Sequence, residues 1–296
     1  MLFVIYVNDL SRCTPNFEFT LYADDTSIIC NNNDVRNVID TVNSDMTKAM
    51  VAWFKAKKLL DSKKSVAILF RPRQRHLDSS NLNILIDGSP ITFSSQTKFL
   101  GVVIDEHLSW GPHIDFITYK VAKGAGVIRK LKYKLPLRIL ITLYYILILP
   151  YMMYSCIVWG NSSKSKLQNL YIIQKKIVRF VTNSARNTHT NPLFKQTKIL
   201  PFFDQIYFHN AVFMYQFQNS LLPSPFIDFF QSNSSVHNYN TRHATHLRPP
   251  LLHFTLSHTH LRYKGIKIWN SLPPSIKSCT NLNSFKLALK KHLRDL

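Results

Sequence analysis

The sequence has little cysteine: four widely separated residues in a chain of 296. No two of them stand at C-x-x-C spacing, so neither a disulfide framework nor a zinc knuckle is predicted. Several histidines crowd the stretch from His237 to His260. Without a cysteine pair at ligand spacing, we interpret this stretch as a polar, partly cationic loop and not as a metal site.

Acidic residues are missing from a long part of the chain, because no Asp or Glu occurs between Asp115 and Asp204. Residues 1–115 contain 12 Lys and Arg and 13 Asp and Glu, whereas residues 116–296 contain 25 basic and 3 acidic residues. Lysines that neutralise phosphates release counterions, so this asymmetry predicts nucleic-acid binding by the second region. A solvated basic face that aids solubility is the weaker alternative for so long an acid-free stretch.

No basic segment follows Met1, so no secretory signal peptide is predicted. Residues 139–159 contain no charged residue and are long enough to cross a bilayer, which leaves a membrane-anchored protein as one alternative. However, Pro150 and several tyrosines lie in the middle of this run, and tyrosines prefer membrane interfaces. We therefore predict no membrane span, but a buried helix pair that is broken at Pro150.

The hydrophobic periodicity predicts an α+β fold in which short strands are followed by helices. Predicted strands cover residues 17–21 and 26–30 (a hairpin), 65–70, 82–86 and 91–93 (a second hairpin) and 98–104. The predicted helices are a long one capped by Asn33 or Asp34, three near residues 113–133, 137–149 and 164–183, and a basic one from Ser284. Residues 232–250 are rich in Ser, Asn, His and Arg and are predicted to be a linker.

Two adjacent carboxylates, Asp24 and Asp25, lie at the tip of the first hairpin. Such hard oxygen ligands suit Mg²⁺, which commonly binds through one or two carboxylates together with substrate phosphates. Polymerases use two metal ions to activate the attacking hydroxyl and to stabilise the leaving group. On its own the Tyr-x-Asp-Asp pattern is weak, since an Asp pair in a turn is more often only a turn.

Several motifs in order resemble the reverse transcriptases of non-LTR (LINE-type) retrotransposons. The stretch at 19–26 resembles the polymerase hairpin, and Tyr6-Val7-Asn8-Asp9-Leu10 resembles the end of the apolar run that precedes it. The resemblance continues through Trp53-Phe54, the lysine-bearing stretch 61–65, Phe99-Leu100-Gly101, the thumb-like region around Pro150-Tyr151 and Trp159-Gly160, and a jockey-like tail, Trp269-Asn270-x-Leu272-Pro273.

This resemblance implies a fold and its divisions. Residues 1–110 would be a partial palm made of antiparallel hairpins and a helix, with the hairpin and the primer grip. Residues 111–231 would be a helical thumb, and residues 232–296 a linker with a basic C-terminal region. The family's first catalytic aspartate and its nucleotide-binding loop precede the apolar run, so we expect a C-terminal fragment that is inactive by itself. A non-catalytic, basic nucleic-acid-binding relic is the alternative.

The resemblance also implies roles for individual residues. Asp24 would be a metal ligand for Mg²⁺, and Asp25 its neighbour with a less direct part. Lys64 would donate a proton to pyrophosphate, although Lys63 is an alternative and an ordinary surface lysine is another. The expected nucleic-acid contacts are Tyr22, Phe99 and Gly101 near the primer, and Lys175, Lys176 and Arg179 on the wetter side of a helix. The implied partners are an RNA template, a DNA primer and dNTP, in the nucleus or cytoplasm.

Overall fold

The computed structural model describes residues 8–12, 14–23, 25–45, 53, 65–75, 82–86, 89–235, 246–251 and 259–295. The chain divides into two compact units, Met1–Ser109 (unit 1) and Trp110–Leu296 (unit 2). The strands lie in unit 1, whereas unit 2 is built of helices.

In unit 1, a short 3-10 helix (Leu10–Arg12) precedes the predicted hairpin. Strand β1 (Glu18–Tyr22) pairs antiparallel with β2 (Asp25–Ile29), and the bounds differ from the prediction by one residue. Helix α1 (Val35–Asp45) follows, and the Asp34 carboxylate accepts a hydrogen bond of 3.1 Å from the backbone N–H of Arg36. This bond satisfies one of the N–H groups that a helix start leaves without a partner, so the predicted cap is confirmed.

A small sheet follows, in which β5 (Ser89–Phe93) lies between β3 (Val66–Ala67) and β4 (Ile84–Ile86). The hairpin of β4 and β5 is confirmed, whereas the strand predicted over 65–70 is limited to two residues. Asn43 links α1 to this sheet, because its side chain donates to the Asn83 carbonyl and accepts from the Leu85 N–H, both at 2.9 Å.

The single strand predicted over 98–104 is wrong. The structure has two antiparallel strands there, β6 (Gln96–Phe99) and β7 (Val102–Asp105). The turn between them consists of Leu100 and Gly101, whose φ angles are 44° and 84°. Positive φ at both central positions is the geometry of a tight two-residue hairpin, so the Phe-Leu-Gly motif bends the chain instead of extending it.

Unit 2 is helical. Its helices are α2 (Gly111–Leu131), α3 (Leu137–Leu147), α4 (Leu149–Met153), α5 (Cys156–Trp159), α6 (Lys164–Val181), α7 (Thr190–Thr197), α8 (Phe202–Gln218), α9 (Leu261–Ser271), α10 (Pro274–Lys277) and α11 (Leu282–Asp295). Helices α2 and α6 pack against each other in the first hydrophobic core. His113 near the start of α2 contacts Trp159, which ends α5 shortly before α6 begins, and Lys132 just after α2 contacts Phe180 near the end of α6, so the pair is parallel.

The uncharged run 139–159 is broken, as predicted, but in two places. The helix breaks at Ile148, with Pro150 in the first turn of α4, and again at Ser155, whose φ is 51°. One face is fully covered, comprising Leu140, Tyr144, Ile148, Met152, Cys156 and Trp159. The other face is exposed, and the exposed fractions of Ile146 and Tyr154 are 61% and 53%. The prediction that the whole run is buried was therefore wrong. No helix in the described part of the chain is both long and apolar enough to span a membrane.

A second hydrophobic core joins α8 to α9 and α11, with Tyr215, Trp269 and Phe285 at its centre. Leu247, at the end of the predicted linker, is also buried in this core. The Asn270 amide donates to the Leu247 carbonyl at 2.9 Å and accepts from its N–H at 3.3 Å. Residues beside Leu247 are therefore held in place by α9.

Candidate functional site

The β1–β2 hairpin carries Tyr22 and Asp25, two of the predicted site residues, at its tip. Tyr22 and Asp25 are directly opposite each other in the register, which leaves only Ala23 and position 24 in the turn. Ala23 has a φ of 52°, a left-handed conformation that costs a non-glycine residue about 1 kcal/mol or more. The Tyr22 side chain is 63% exposed and Asp25 is exposed as well, while Asp24 lies outside the described residues.

The chemistry of this tip fits a hard divalent cation. Asp25 offers carboxylate oxygens to solvent, and the sequence adds a second carboxylate next to it at Asp24. Within the described ranges, no cluster of three or more His, Cys, Asp or Glu side chains could hold a metal ion. Mg²⁺ needs fewer protein ligands than that when phosphate oxygens and water complete its shell. Asp24 and Asp25 are therefore the residues that could hold Mg²⁺, together with a phosphate-bearing substrate.

Two other predicted residues lie on the hairpin of β6 and β7. Phe99 is half-buried and pairs with Val102, and Gly101 occupies the turn. The predicted proton donor Lys64, together with Lys63, lies outside the described residues, although β3 begins at Val66. The Ser94 N–H donates to the Ala67 carbonyl at 2.9 Å, which ties β3 to the segment before β6.

An arginine that the sequence analysis missed holds the base of the β6–β7 hairpin. Arg71 donates from Nε to the Glu106 carboxylate at 3.1 Å, and its backbone N–H donates to the Glu106 carbonyl at 3.0 Å. The His107 ring nitrogen Nδ1 lies 3.0 Å from the Arg71 carbonyl oxygen. The segment after β3 and the hairpin of β6 and β7 are thus joined by side-chain and backbone bonds. Residues 71 and 106 are 35 positions apart in the sequence, so only the fold brings them together.

The predicted basic residues on α6 have three different surroundings. The Lys175 ammonium lies 4.3 Å from the centre of the Tyr171 ring, and Lys176 is exposed. Arg179 is half-buried, and its Nε donates to the Thr188 carbonyl at 2.9 Å. Lys176 and Lys175 therefore present charge at the surface, whereas Arg179 also fixes the loop after α6.

At several places in unit 2, a lysine covers the ring of the aromatic residue that precedes it by one helical turn. The sequence analysis missed this pattern. The pairs are Phe116–Lys120, Tyr119–Lys123, Tyr171–Lys175 and Tyr263–Lys267, with ring-to-ammonium distances of 5.6, 4.4, 4.3 and 4.3 Å. A lysine at i+4 from an aromatic residue can cover its ring because both side chains lie on one helix face. Hydrogen bonding and charge from Lys123 lower the pKa of the Tyr119 hydroxyl. This pattern orients ammonium groups, which suits contacts to phosphates.

Buried polar bonds hold these helices in place. Gln174, on the inner side of α6, donates to the Tyr144 hydroxyl at 2.8 Å and to the Leu200 carbonyl at 3.1 Å. Its side-chain oxygen accepts from the Phe202 N–H at 2.7 Å, which ties α3 and α8 to α6. Burial raises the pKa of the Tyr144 hydroxyl, so it stays protonated. The orientation of the basic side of α6 is therefore set from within.

The Trp159-Gly160 motif serves the core. The Trp159 ring is fully buried, edge-on to His113 and stacked on Phe202. A Cβ atom on Gly160 would lie 2.4 Å from the Cys156 carbonyl oxygen, so only glycine fits there. The Lys264 ammonium donates to the Asn161 carbonyl at 2.6 Å, and its pKa is lowered by burial and by Lys164.

Comparison with known proteins gives three relatives, all from Drosophila melanogaster. The chain is similar to the probable RNA-directed DNA polymerase from transposon X-element, with 24% identity over 71% of this chain and 24% of the relative. It is also similar to the probable RNA-directed DNA polymerase from transposon BS, with 23% identity over 64% and 21% of the two chains. The RNA-directed DNA polymerase from mobile element jockey is 23% identical over 67% and 22%.

The chain thus spans less than a quarter of the length of these relatives. No family model matches it, and no solved structure matches it. The similarity covers about two thirds of the chain and confirms the resemblance that was inferred from the ordered motifs.

Proposed function

Since this chain is related to the RNA-directed DNA polymerases of jockey-like non-LTR retrotransposons, we propose that it is the part of a reverse transcriptase that carries the Tyr-Ala-Asp-Asp hairpin and a basic helical region. The observation that carries this proposal is the two-residue turn between Tyr22 and Asp25, since it leaves Asp25 and Tyr22 exposed at the tip and Asp24 is the neighbour of Asp25 in the sequence. The three relatives are named as RNA-directed DNA polymerases or probable ones, which supports a polymerase reaction.

The proposed reaction is nucleotidyl transfer on an RNA template. The primer 3′ hydroxyl attacks the α-phosphorus of a dNTP, a new P–O bond forms, and pyrophosphate leaves. Bound Mg²⁺ ions would activate the hydroxyl and stabilise the leaving group. Asp24 and Asp25 would hold the metal, and Lys64 would donate a proton to the departing pyrophosphate. Tyr22, beside them, contacts the primer-template.

We assign the remaining predicted residues to nucleic-acid positioning. Unit 1 would be a partial palm, in which the β6–β7 hairpin with Phe99 and Gly101 supports the primer end. In unit 2, α2 and α6 would belong to the thumb. Their parallel packing puts the lysines of both C-terminal ends on one side, where phosphates of a primer-template duplex can be neutralised.

We further propose that the polypeptide of residues 1–296 does not polymerise DNA alone. Metal-ion catalysis of this kind needs carboxylates on more than one segment, since the ions must be held against hydration. Apart from the aspartate pair, the only acidic residues in positions 1–25 are Asp9 and Glu18. Glu18 pairs with Ile29 at the far end of the hairpin, so it cannot reach the tip.

The test is a chimera. The polymerase segment that precedes the region of similarity in the jockey relative is fused to Met1, and primer extension on RNA is measured with Mg²⁺. We expect extension by the chimera, none by residues 1–296, and loss of activity in Asp24→Asn. Asp40→Asn, which removes the same charge from an exposed position on α1, should remain active. Extension that survives Asp24→Asn would contradict the assignment of the site.

A second candidate function is nucleic-acid binding without catalysis. The observation in its favour is the basic composition of residues 116–296, with lysines oriented on aromatic rings. The chain should bind single-stranded RNA and primer-template with little sequence preference, and more weakly as salt is raised from 50 to 200 mM, by about a thousandfold. If the chimera binds but extends no primer, this candidate replaces the polymerase. Salt-independent binding would contradict both.

A further inference from the structure

Helix α11 carries a regular row of cations. Lys286, Lys290 and Arg294 follow one another at intervals of four residues, so they lie on one side of the helix about 6 Å apart along its axis. The buried side of the helix is formed by Phe285, Leu289 and Leu293. Like charges one turn apart destabilise a helix, and the only acid in α11 is its last residue, Asp295. The helix dipole accounts for Arg294 in the last turn, but not for Lys286 and Lys290 further from the end.

Among the described residues, no salt bridge joins Lys286, Lys290 or Arg294 to an acid, although α8, which packs against α11, carries Asp204. The Lys290 ammonium lies 5.2 Å from the Phe208 ring on α8. Burial lowers the pKa of His209, and the charges of Lys290 and Lys286 lower it further. At the other end of the row, Arg294 donates to the Lys198 carbonyl at 3.0 Å.

The row ends beside an exposed aromatic side chain. Tyr145 on α3 is 40% exposed, and its pKa is raised by burial and lowered by the charge of Arg294. Its ring contacts Tyr144 edge-on, and Gln174 joins the Tyr144 hydroxyl to the Leu200 carbonyl, two residues from the Lys198 carbonyl that Arg294 binds. A line of cations that leads to an aromatic ring is the arrangement with which proteins bind single strands, since the phosphates are neutralised and a base stacks.

We propose that Lys286, Lys290, Arg294 and Tyr145 form a track for single-stranded nucleic acid. Its residues differ from those of the α2–α6 surface that the proposed function assigns to the primer-template duplex. Bases in a duplex are already stacked and paired, so an isolated ring beside a cation row selects an unpaired strand. The track goes beyond polymerase activity, because it requires binding alone and holds for the chain as it stands.

The experiment compares neighbouring lysines on α11 in the full chain. Fluorescence anisotropy measures the Kd for a labelled 20-nucleotide oligo(U) and for a blunt primer-template duplex. Lys290→Gln should weaken oligo(U) binding roughly fivefold and reduce the salt slope by about one, with little change for the duplex. Lys291→Gln is the matched control, since it removes the same charge from an exposed residue one position further along the helix. It should leave both Kd values within about twofold.

Stacking is tested separately at Tyr145. Tyr145→Phe should keep oligo(U) binding, whereas Tyr145→Leu should weaken it roughly tenfold, since aromatic stacking of a base is lost. Equal losses in Lys290→Gln and Lys291→Gln, or equal losses for oligo(U) and duplex, would overturn the track. So would tighter binding of poly-glutamate than of oligo(U), which would indicate an acidic protein partner. These outcomes are independent of whether the chimera polymerises DNA.

Discussion

The two units are held together in different ways. In unit 2, large side chains such as Trp159, Tyr144 and Phe285 are buried almost completely in two hydrophobic cores. Among the described residues of unit 1, the buried apolar side chains are Leu10, Phe17, Ile39, Ile84 and Val102, and the strands have two to five residues. Short hairpins are marginally stable by themselves, so unit 1 depends more on turns and polar links.

Those polar links in unit 1 connect distant parts of the chain. Asp45 accepts hydrogen bonds from Thr14 at 2.6 Å and Asn16 at 2.9 Å, and Arg71 is paired with Glu106. In the acid-free stretch of unit 2, by contrast, several lysines lie on aromatic rings. The difference suggests a helical unit stabilised by its core and free to use its charge on a polyanion. Four substitutions or conditions test this comparison.

The largest effect should come from the core of unit 2. Trp159→Ala should lower the free energy of unfolding by about 4 kcal/mol, because a fully buried ring is replaced by a cavity between His113 and Phe202. Tyr133→Ala, at a side chain that is 76% exposed, is the control and should change it by about 0.5 kcal/mol or less. Urea unfolding followed by circular dichroism measures both. Similar losses in the two variants would mean that the core of unit 2 is not its main support.

Acid should destabilise unit 2 through a buried histidine. Burial lowers the pKa of His113 to about 4, compared with about 6.5 in an unfolded chain. The unfolded state therefore binds more protons between pH 6.5 and 4, so stability should fall by about 2 to 3 kcal/mol as the pH decreases through this window. His113→Phe should flatten the curve of unfolding free energy against pH. His209, whose pKa burial also lowers, should leave a smaller slope. An unchanged curve in His113→Phe would contradict the assignment.

Two glycines of unit 2 should respond in opposite directions to the same substitution. Gly160→Ala places a Cβ 2.4 Å from the Cys156 carbonyl oxygen, so it should cost about 2 kcal/mol of unfolding free energy. Gly126→Ala meets no atom within 4 Å in the middle of α2, so it should gain about 1 kcal/mol. Melting temperatures from calorimetry measure both. A gain at Gly160 would show that the turn after α5 can move.

Elements with one apolar stripe were predictable from the sequence. The bounds of α2 and α6 lie within about two residues of the prediction, because apolar residues recur at helical spacing on one face of each helix. Helix α8 was not predicted, and its apolar residues face several sides, which weakens the periodic signal. The buried position of Leu247 depends on Asn270, which is distant in sequence, so composition alone indicated a linker.

The site was predictable where chemistry is local. The turn at positions 23–24 follows from strand residues on both sides of an Asp pair, and its register was confirmed to within one residue. The Leu100-Gly101 turn was missed because leucine seldom adopts positive φ, so the motif resembled a continuous strand. The Arg71–Glu106 pair requires a tertiary contact that no spacing in the sequence reveals, and so does the contact of Arg294 on α11 with the Lys198 carbonyl.

The smallest effect tests the turn of unit 1 itself. Ala23 has a φ of 52°, which costs alanine about 1 to 2 kcal/mol, whereas glycine adopts it without strain. Glycine also loses more chain entropy on folding, about 0.5 to 1 kcal/mol, so Ala23→Gly should stabilise the hairpin by about 0.5 kcal/mol. Ala67→Gly, in the extended strand β3, has no strain to relieve and should destabilise by a similar amount. Hydrogen exchange of β1 and β2 amides should slow in the first variant, with α2 and α6 unaffected in both. Faster exchange in Ala23→Gly would mean that the turn at the aspartates is not strained, and unit 1 would then have no stored strain at its proposed active tip.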